Sequence, residues 1–334
     1  MKLNKIAVFS LIVSAMVGFT ACGNNKSGHD ANNSQSPKDS SKQIVLNIGD
    51  QKGNMRAQLE ASGALKDIQY KINWYEFPAA APVAEALKVE GIDLGYLGDA
   101  PFIFANSNGG TAKAIAVYKA DPYPVALLVP ENSPIKNIKD LKGKSVTANK
   151  GSIGHLITLR ALEKAGLQPN DVNFKFLPPA DGKLAVANGS VDVWAVWDPY
   201  TAYAELKDHF RIIANGRGLY SGYTFLAATD KSLQDVKKRQ SIQNFVYRLK
   251  ESQLWATAHS QEFGQQYAKI TGLPEDVGTL AFKRRNASWE SIDPQVIKTS
   301  QETADFYTKN KLIPKHFDVT SSFDTSFKVS KDNK

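Results

Sequence analysis

From Gln43 onward the chain sets short β-branched runs between longer stretches of helical spacing. Ile44-Val45-Leu46-Asn47-Ile48-Gly49 predicts a buried strand closed by glycine. A helix through Leu59 and Leu65 follows, then a strand from Tyr70 to Phe77. Pro78 and Pro82 open the next helix, in the first turn, where a missing N–H does no harm. Val83, Ala86 and Leu87 form its apolar face, and Gly91 stops it. Ile92-Asp93-Leu94 predicts a third strand. Alternation of this kind implies a parallel sheet with right-handed crossovers, an α/β architecture.

The same plan returns about a hundred residues later. Lys52-Gly53, Pro78, Gly91, Asp93 and Asp99 find counterparts in Lys150-Gly151, Pro178, Gly189, Asp192 and Asp198, at offsets between 98 and 100. Strands are predicted at Lys144–Ala148, Phe174–Leu177 and Val191–Trp197, with a helix from Gly151-Ser152 to Gly166 and another ending at Asn188. One supersecondary unit used twice predicts two matched lobes, and small molecules bind in clefts between lobes. Thr224–Ala228 reads as a further buried strand, and Ser232–Ala258 as one long helix with Ile242, Phe245, Val246 and Leu249 inward. Pro274 and Asp293-Pro294 start two more helices. The expected organisation is a first lobe of residues 43–132 and 229–330, with residues 133–228 inserted as the second. The chain then crosses near residues 130–135 and 226–231, and such a double crossover is a hinge.

The N-terminal segment carries an address. Lys2 and Lys5 precede a 14-residue apolar stretch, Ile6–Phe19, too short to span a bilayer and suited to an export signal. Residues 1–22 are therefore expected to be a signal peptide. Phe19-Thr20-Ala21-Cys22-Gly23 resembles a bacterial lipobox, whose cysteine becomes a lipidated N-terminus, with Phe19 standing where leucine is usual. The alternative is cleavage after Val13-Ser14-Ala15. Cys22 is the only cysteine, so no disulfide is possible within the chain, and lipidation would account for an otherwise stray thiol in an exported protein. Residues 23–42 are polar throughout and predict a flexible tether.

The 334 residues carry 42% hydrophobic and 22% charged side chains, ordinary for a globular protein of about two domains. The net charge of +8 is mild, and the longest basic runs, Lys237-Lys238-Arg239 and Lys283-Arg284-Arg285, read as solvated helix faces. No stacking aromatics sit beside them, which argues against nucleic acid.

Ligands of open α/β sheets sit beyond the carboxyl ends of the strands. Four loops qualify: Asp50–Asn54, Gly98–Pro101, Lys150–Gly154 and Trp197–Tyr200. Gly53-Asn54 and Gly151-Ser152 place a glycine before a helix start, where free N–H groups and the helix dipole favour an anion. Asp99 and Asp198, at matching strand ends, could act as acid and base, bind an amine, or accept backbone N–H groups; the last is favoured, since bare carboxylates would repel an anion. Trp197 offers an apolar wall, unless it is a core residue like Trp194.

Enzyme signatures are thin. G-x-S-x-G, H-E-x-x-H and G-x-G-x-x-G are absent, and Gly143-Lys144-Ser145 fails as a phosphate loop because Ile138 stands where glycine is required. His155 alone of five histidines lies near a candidate loop, and no cysteine or histidine pairing predicts a metal site. No cofactor is expected.

Taken together, Gln51-Lys52-Gly53-Asn54, Glu76-Phe77-Pro78-Ala79, Ile92-Asp93-Leu94-Gly95 and Gly98-Asp99 resemble the aliphatic sulfonate-binding proteins of bacterial ABC importers, within the sulfonate/taurine/nitrate group. So do Glu131–Lys136, Asp140–Gly143, Lys150-Gly151-Ser152, Trp197-Asp198-Pro199-Tyr200 and Thr271–Pro274. The resemblance runs over residues 44–318. It implies a two-lobed periplasmic-binding-protein fold of type 2. It further implies a monomer that captures a sulfonate and delivers it to a membrane permease driven by an ATPase. Gln51, Lys52, Gly53, Asn54, Gly98, Asp99, Ser152, Trp197 and Asp198 would then line the pocket, without any arginine. Taurine, nitrate or a thiamine precursor are alternative ligands, and an enzyme on the same fold is the competing class.

Overall fold

The β-branched run that opens residues 43–329, the part of the chain described by the computed structural model, forms strand β1 (Val45–Gln51). Helix α1 (Asn54–Ala61), β2 (Lys71–Phe77), α2 (Ala80–Lys88), β3 (Leu94–Gly98), α3 (Asp99–Ser107) and β4 (Lys113–Lys119) complete a first series. The second comprises β5 (Ala126–Val129), β6 (Ser145–Ala148), α4 (Ile153–Lys164), β7 (Asn173–Phe176), α5 (Pro179–Ala187), β8 (Val193–Val196), α6 (Tyr200–Lys207) and β9 (Arg211–Asn215). The chain closes with β10 (Tyr223–Ala228), α7 (Asp230–Gln234), α8 (Val236–Ala258), α9 (Ser260–Thr271), α10 (Glu275–Lys283), β11 (Ser288–Glu290) and α11 (Pro294–Lys309).

Two sheets result, ordered β11-β4-β10-β3-β1-β2 and β7-β6-β8-β5-β9. In each, three parallel strands are followed by one antiparallel strand that comes from across the crossover: β10 beside β3, and β5 beside β8. The crossovers therefore fall in residues 120–125 and 216–222, earlier than the expected breaks at 132/133 and 228/229. An apolar run such as Val125–Val129 looks the same whichever sheet it joins. Only its partners Ala195 and Ala214, opposite Leu127, place it in the second sheet.

The repeated aspartates explain part of the duplication. Asp93 Oδ2 accepts from the Asn47 amide at 2.8 Å, and Asp192 Oδ2 from the Ser145 amide at 2.8 Å. Asp93 thus ties the start of β3 to β1, and Asp192 ties the start of β8 to β6. Asp93 also receives Lys238 and Ser232, while Asp192 receives the Ser145 hydroxyl.

Both faces of each sheet are covered. On the first sheet one layer gathers Phe102, Val117, Phe225 and Tyr307, and the other gathers Leu46, Ile48, Phe245 and Val246, all buried. Each such large apolar side chain contributes about 1.5–3 kcal/mol through burial. The inward stripe of α8 is the one its spacing predicts. The expected Ser232–Ala258 helix is broken at Asp235, whose side chain caps α8 by accepting from the Lys238 amide at 3.0 Å. The first helix stops at Ala61, before Leu65. Helices α3 and α6 and strands β4 and β9 had no distinct sequence signal. Helix α3 is buried nearly all round, so it lacks the polar face that marks an amphipathic helix. The signal peptide, Cys22 and the tether lie outside the described residues. Among the described residues no helix is long and apolar enough to cross a membrane.

Candidate functional site

The carboxyl ends of β1, β3 and β8 and the start of α4 converge on a chamber of about 130 Å³. Of the residues expected there, Gln51, Lys52, Asn54, Gly98, Ser152, Trp197 and Asp198 line it. Gly53 and Asp99 do not.

Gly53 shapes the site from behind. It takes a left-handed φ of 63°, and its amide donates to Glu76 Oε2 at 3.0 Å. The Met55 and Arg56 amides donate to the two oxygens of Asp50 at 2.9 and 2.8 Å. The N-terminus of α1 is therefore largely occupied by the chain's own carboxylates, contrary to the expected anion site. Burial pushes Asp50 up to about 7, although the amides that donate to it pull the other way.

Helix α4 differs. Ser152, 3% exposed, caps it by accepting from the His155 amide at 3.2 Å, and its own amide donates to Asn149 O. The amides of Ile153 and Gly154 have no protein acceptor among the described residues, as expected of a helix start. Gly154 has no room for a Cβ, which would meet Ala195 O at 2.6 Å, so α4 packs its first turn directly on β8. His155 is buried, its Nδ1 accepts from the Gly151 amide at 3.3 Å, and burial pulls it down to about 4.

The two matched aspartates are both engaged internally. Asp99 is fully buried, accepts from the Ala100 amide, and holds Ser221 Oγ at 2.5 Å; burial pushes it up to about 6. Asp198 accepts from the Ala202 amide at 2.9 Å and from two nitrogens of Arg284 at 2.6 and 2.8 Å. Arg284 also reaches Glu205 at 2.6 Å, so the end of α10 is clamped to α6. The clamp raises the guanidinium's affinity for its proton despite burial.

Sequence reasoning missed Arg285, Tyr96, Tyr118, Thr224 and Tyr267, all of which line the chamber. Lys283-Arg284-Arg285 is not a uniformly solvated face: Arg284 enters the clamp and Arg285 enters the chamber. The signal available was Ala281-Phe282 immediately before them, a buried pair that turns the helix end inward. Arg285 is half-buried, donates to Asn54 Oδ1 at 3.1 Å and lies 4.1 Å from the Phe282 ring centroid. It has no carboxylate partner among the described residues. The Tyr96 hydroxyl is buried without a hydrogen-bond partner, its ring edge-on to Tyr118 at 5.3 Å. Nothing in a strand pattern distinguishes such a tyrosine from core.

A half-buried guanidinium without a counter-ion, an unmet hydroxyl donor and a helix N-terminus around one small chamber define a site for an anion. The two lobes around it are those of an extracytoplasmic ligand-binding protein. The family model for the ABC transporter phosphonate periplasmic substrate-binding proteins matches residues 69–273, and the chain belongs to that family. It is 37% identical over 280 residues to an aliphatic sulfonates-binding protein of Escherichia coli K12, covering 82% of this chain and 87% of that protein. The crystal structure of the periplasmic aliphatic sulphonate binding protein SsuA from Escherichia coli superposes with a TM-score of 0.74 at 35% identity, covering 83% of this chain and 91% of that one. The alkanesulfonate-binding protein SsuA from Xanthomonas axonopodis pv. citri, bound to MOPS, gives 0.76 at 32% identity, covering 84% and 98%.

Proposed function

We propose that this protein captures aliphatic sulfonates outside the cytoplasmic membrane and delivers them to the permease and ATPase of an ABC importer. The observation that carries the reading is Arg285, without a carboxylate partner among the described residues, in the same chamber as the unmet Tyr96 hydroxyl. A sulfonate is a monoanion with three acceptor oxygens and no proton. It asks for donors only, and donors are what the chamber offers: Arg285, Tyr96, Ser152 and the first amides of α4. Trp197 and Tyr200, with rings edge-on at 6.4 Å, supply an apolar wall for the carbon chain.

Binding without catalysis is the better reading of the same residues. The one histidine near the chamber is buried and held neutral against Gly151, which suits a structural role at the α4 start. The two aspartates are consumed by Arg284, Ser221 and backbone amides. We further propose that the protein acts as a monomer, tethered by lipid at Cys22.

A thermal-shift panel tests the function. Ethanesulfonate or a longer homologue should stabilise the protein, by about 2.7 kcal/mol at a hundred times its Kd. Stabilisation by nitrate, methylphosphonate or a thiamine precursor, with none by any sulfonate, would replace the sulfonate reading, and stabilisation by taurine alone would narrow it to amino-substituted sulfonates.

A further inference from the structure

A second hollow, of about 290 Å³, adjoins the anion chamber. The two share Lys52, Pro199 and Tyr200. Tyr200 stands between them: its hydroxyl donates to Pro78 O at 3.1 Å, and its ring is edge-on to both Trp194 and Trp197. The outer hollow is walled by Ala180 and Leu184 of α5, Tyr203 of α6 and Leu273 beyond α9.

Resting on the sulfonate reading, we propose that this outer hollow is the tail subsite, which makes the preferred substrates sulfonates with a long or bulky apolar group. The sequence of α5 carries the argument. Its core-facing residues are Pro179, Gly182 and Val186. Ala180, Lys183 and Leu184, at i, i+3 and i+4, form a second face that meets the hollow. Leu184 is 63% exposed there, left uncovered by the described residues. Lys183 does not make this face polar. Its ammonium lies 3.9 Å from the Tyr203 ring centroid and 3.0 Å from Asp208, so the charge is met and the stem is left to the hollow. The inner chamber, at about 130 Å³, has room for the head and first carbons, so a longer chain leaves past Tyr200 into the open hollow.

Calorimetry with ethanesulfonate and octanesulfonate tests this. In the wild type each methylene that enters the hollow strengthens binding up to about fourfold, so octanesulfonate should bind more than about tenfold tighter than ethanesulfonate. Leu184→Gln keeps length and helix propensity while removing the apolar wall, and Ala180→Trp fills the space; both positions are exposed, so the fold tolerates them. Each should weaken octanesulfonate severalfold, Ala180→Trp erasing most of its advantage, while ethanesulfonate binds as to the wild type. Octanesulfonate unmoved by both variants, with ethanesulfonate bound normally, would refute the tail subsite and leave the sulfonate function standing. Failure of the wild type to bind either sulfonate would refute both.

Discussion

Arg284 and Arg285 follow one another at the end of α10 and do opposite work, so methionine at each position makes a sharp experiment. Arg284 gives hydrogen bonds of 2.6–2.8 Å to Asp198 and Glu205, whose side chains are only 9% and 25% exposed. Removing it leaves two shielded carboxylates without their cation, which costs about 3–5 kcal/mol of stability. Arg285 makes one hydrogen bond, to the neutral Asn54 side-chain amide, from a half-exposed position and rests on Phe282, so Arg285→Met, which keeps the apolar stem, should cost about 1–2 kcal/mol of stability. Its effect falls on the ligand. A guanidinium gripping two sulfonate oxygens supplies charge-assisted bonds of about 1.5–3 kcal/mol each, so the loss should approach 3–5 kcal/mol, roughly two to three and a half decades in Kd. Urea unfolding and ethanesulfonate calorimetry on the same preparations separate the two effects. Arg285→Met binding within about threefold of wild type would show that the head group lies elsewhere. Arg284→Met unfolding within about 1 kcal/mol of wild type would show that the clamp is no stronger than a surface ion pair.

Ser152→Ala should lose about 1 kcal/mol of stability through the α4 cap, and about 1.5–3 kcal/mol of sulfonate affinity if its hydroxyl donates to the head; unchanged calorimetry would remove Ser152 from the contact set. Stability should also fall as pH rises. Asp50 and Asp99 sit at about 7 and about 6 in the fold against 3.8 for an ordinary aspartate, so their contribution is full at low pH and lost as pH climbs through those values. His155, pulled from 6.5 to about 4, acts in the other direction on the acid side. Two raised carboxyls outweigh one lowered histidine, so urea midpoints should decline between about pH 4 and about pH 7 and level off above, with Asp99→Asn flattening the slope below about pH 6; a level profile from about pH 4 to about pH 7 contradicts the argument. Finally, Cys22→Ala should move the protein from the membrane to the soluble fraction of an exporting bacterium, and unchanged fractionation speaks against lipidation.

Much of this protein is written locally in its sequence. Runs such as Ile44–Gly49 have the period and β-branching of a buried strand, and Asp293-Pro294 states a helix start in two residues; both depend only on neighbours in the chain. The repeat spacing is also a chain property, and Asp93 and Asp192 show why it recurs, since each closes the same strand pair. Loops at the strand ends meet at the chamber because parallel topology sends them all to one end. What the sequence could not decide was every question of partnership. Whether Val125–Val129 joins the first sheet or the second depends on β8 and β9, and that shifted both crossovers. Whether the amides from Gly53 onward stay free depends on Glu76, a neighbour only through the pairing of β1 with β2, and on whether Asp50 folds back over the helix start. Of two adjacent arginines one became a clamp and the other a chamber wall, because one meets Asp198 and Glu205 while the other, among the described residues, meets Asn54 and Phe282. Propensity acts through adjacent residues, whereas charge compensation acts through space, and only the tertiary fold says which charges meet.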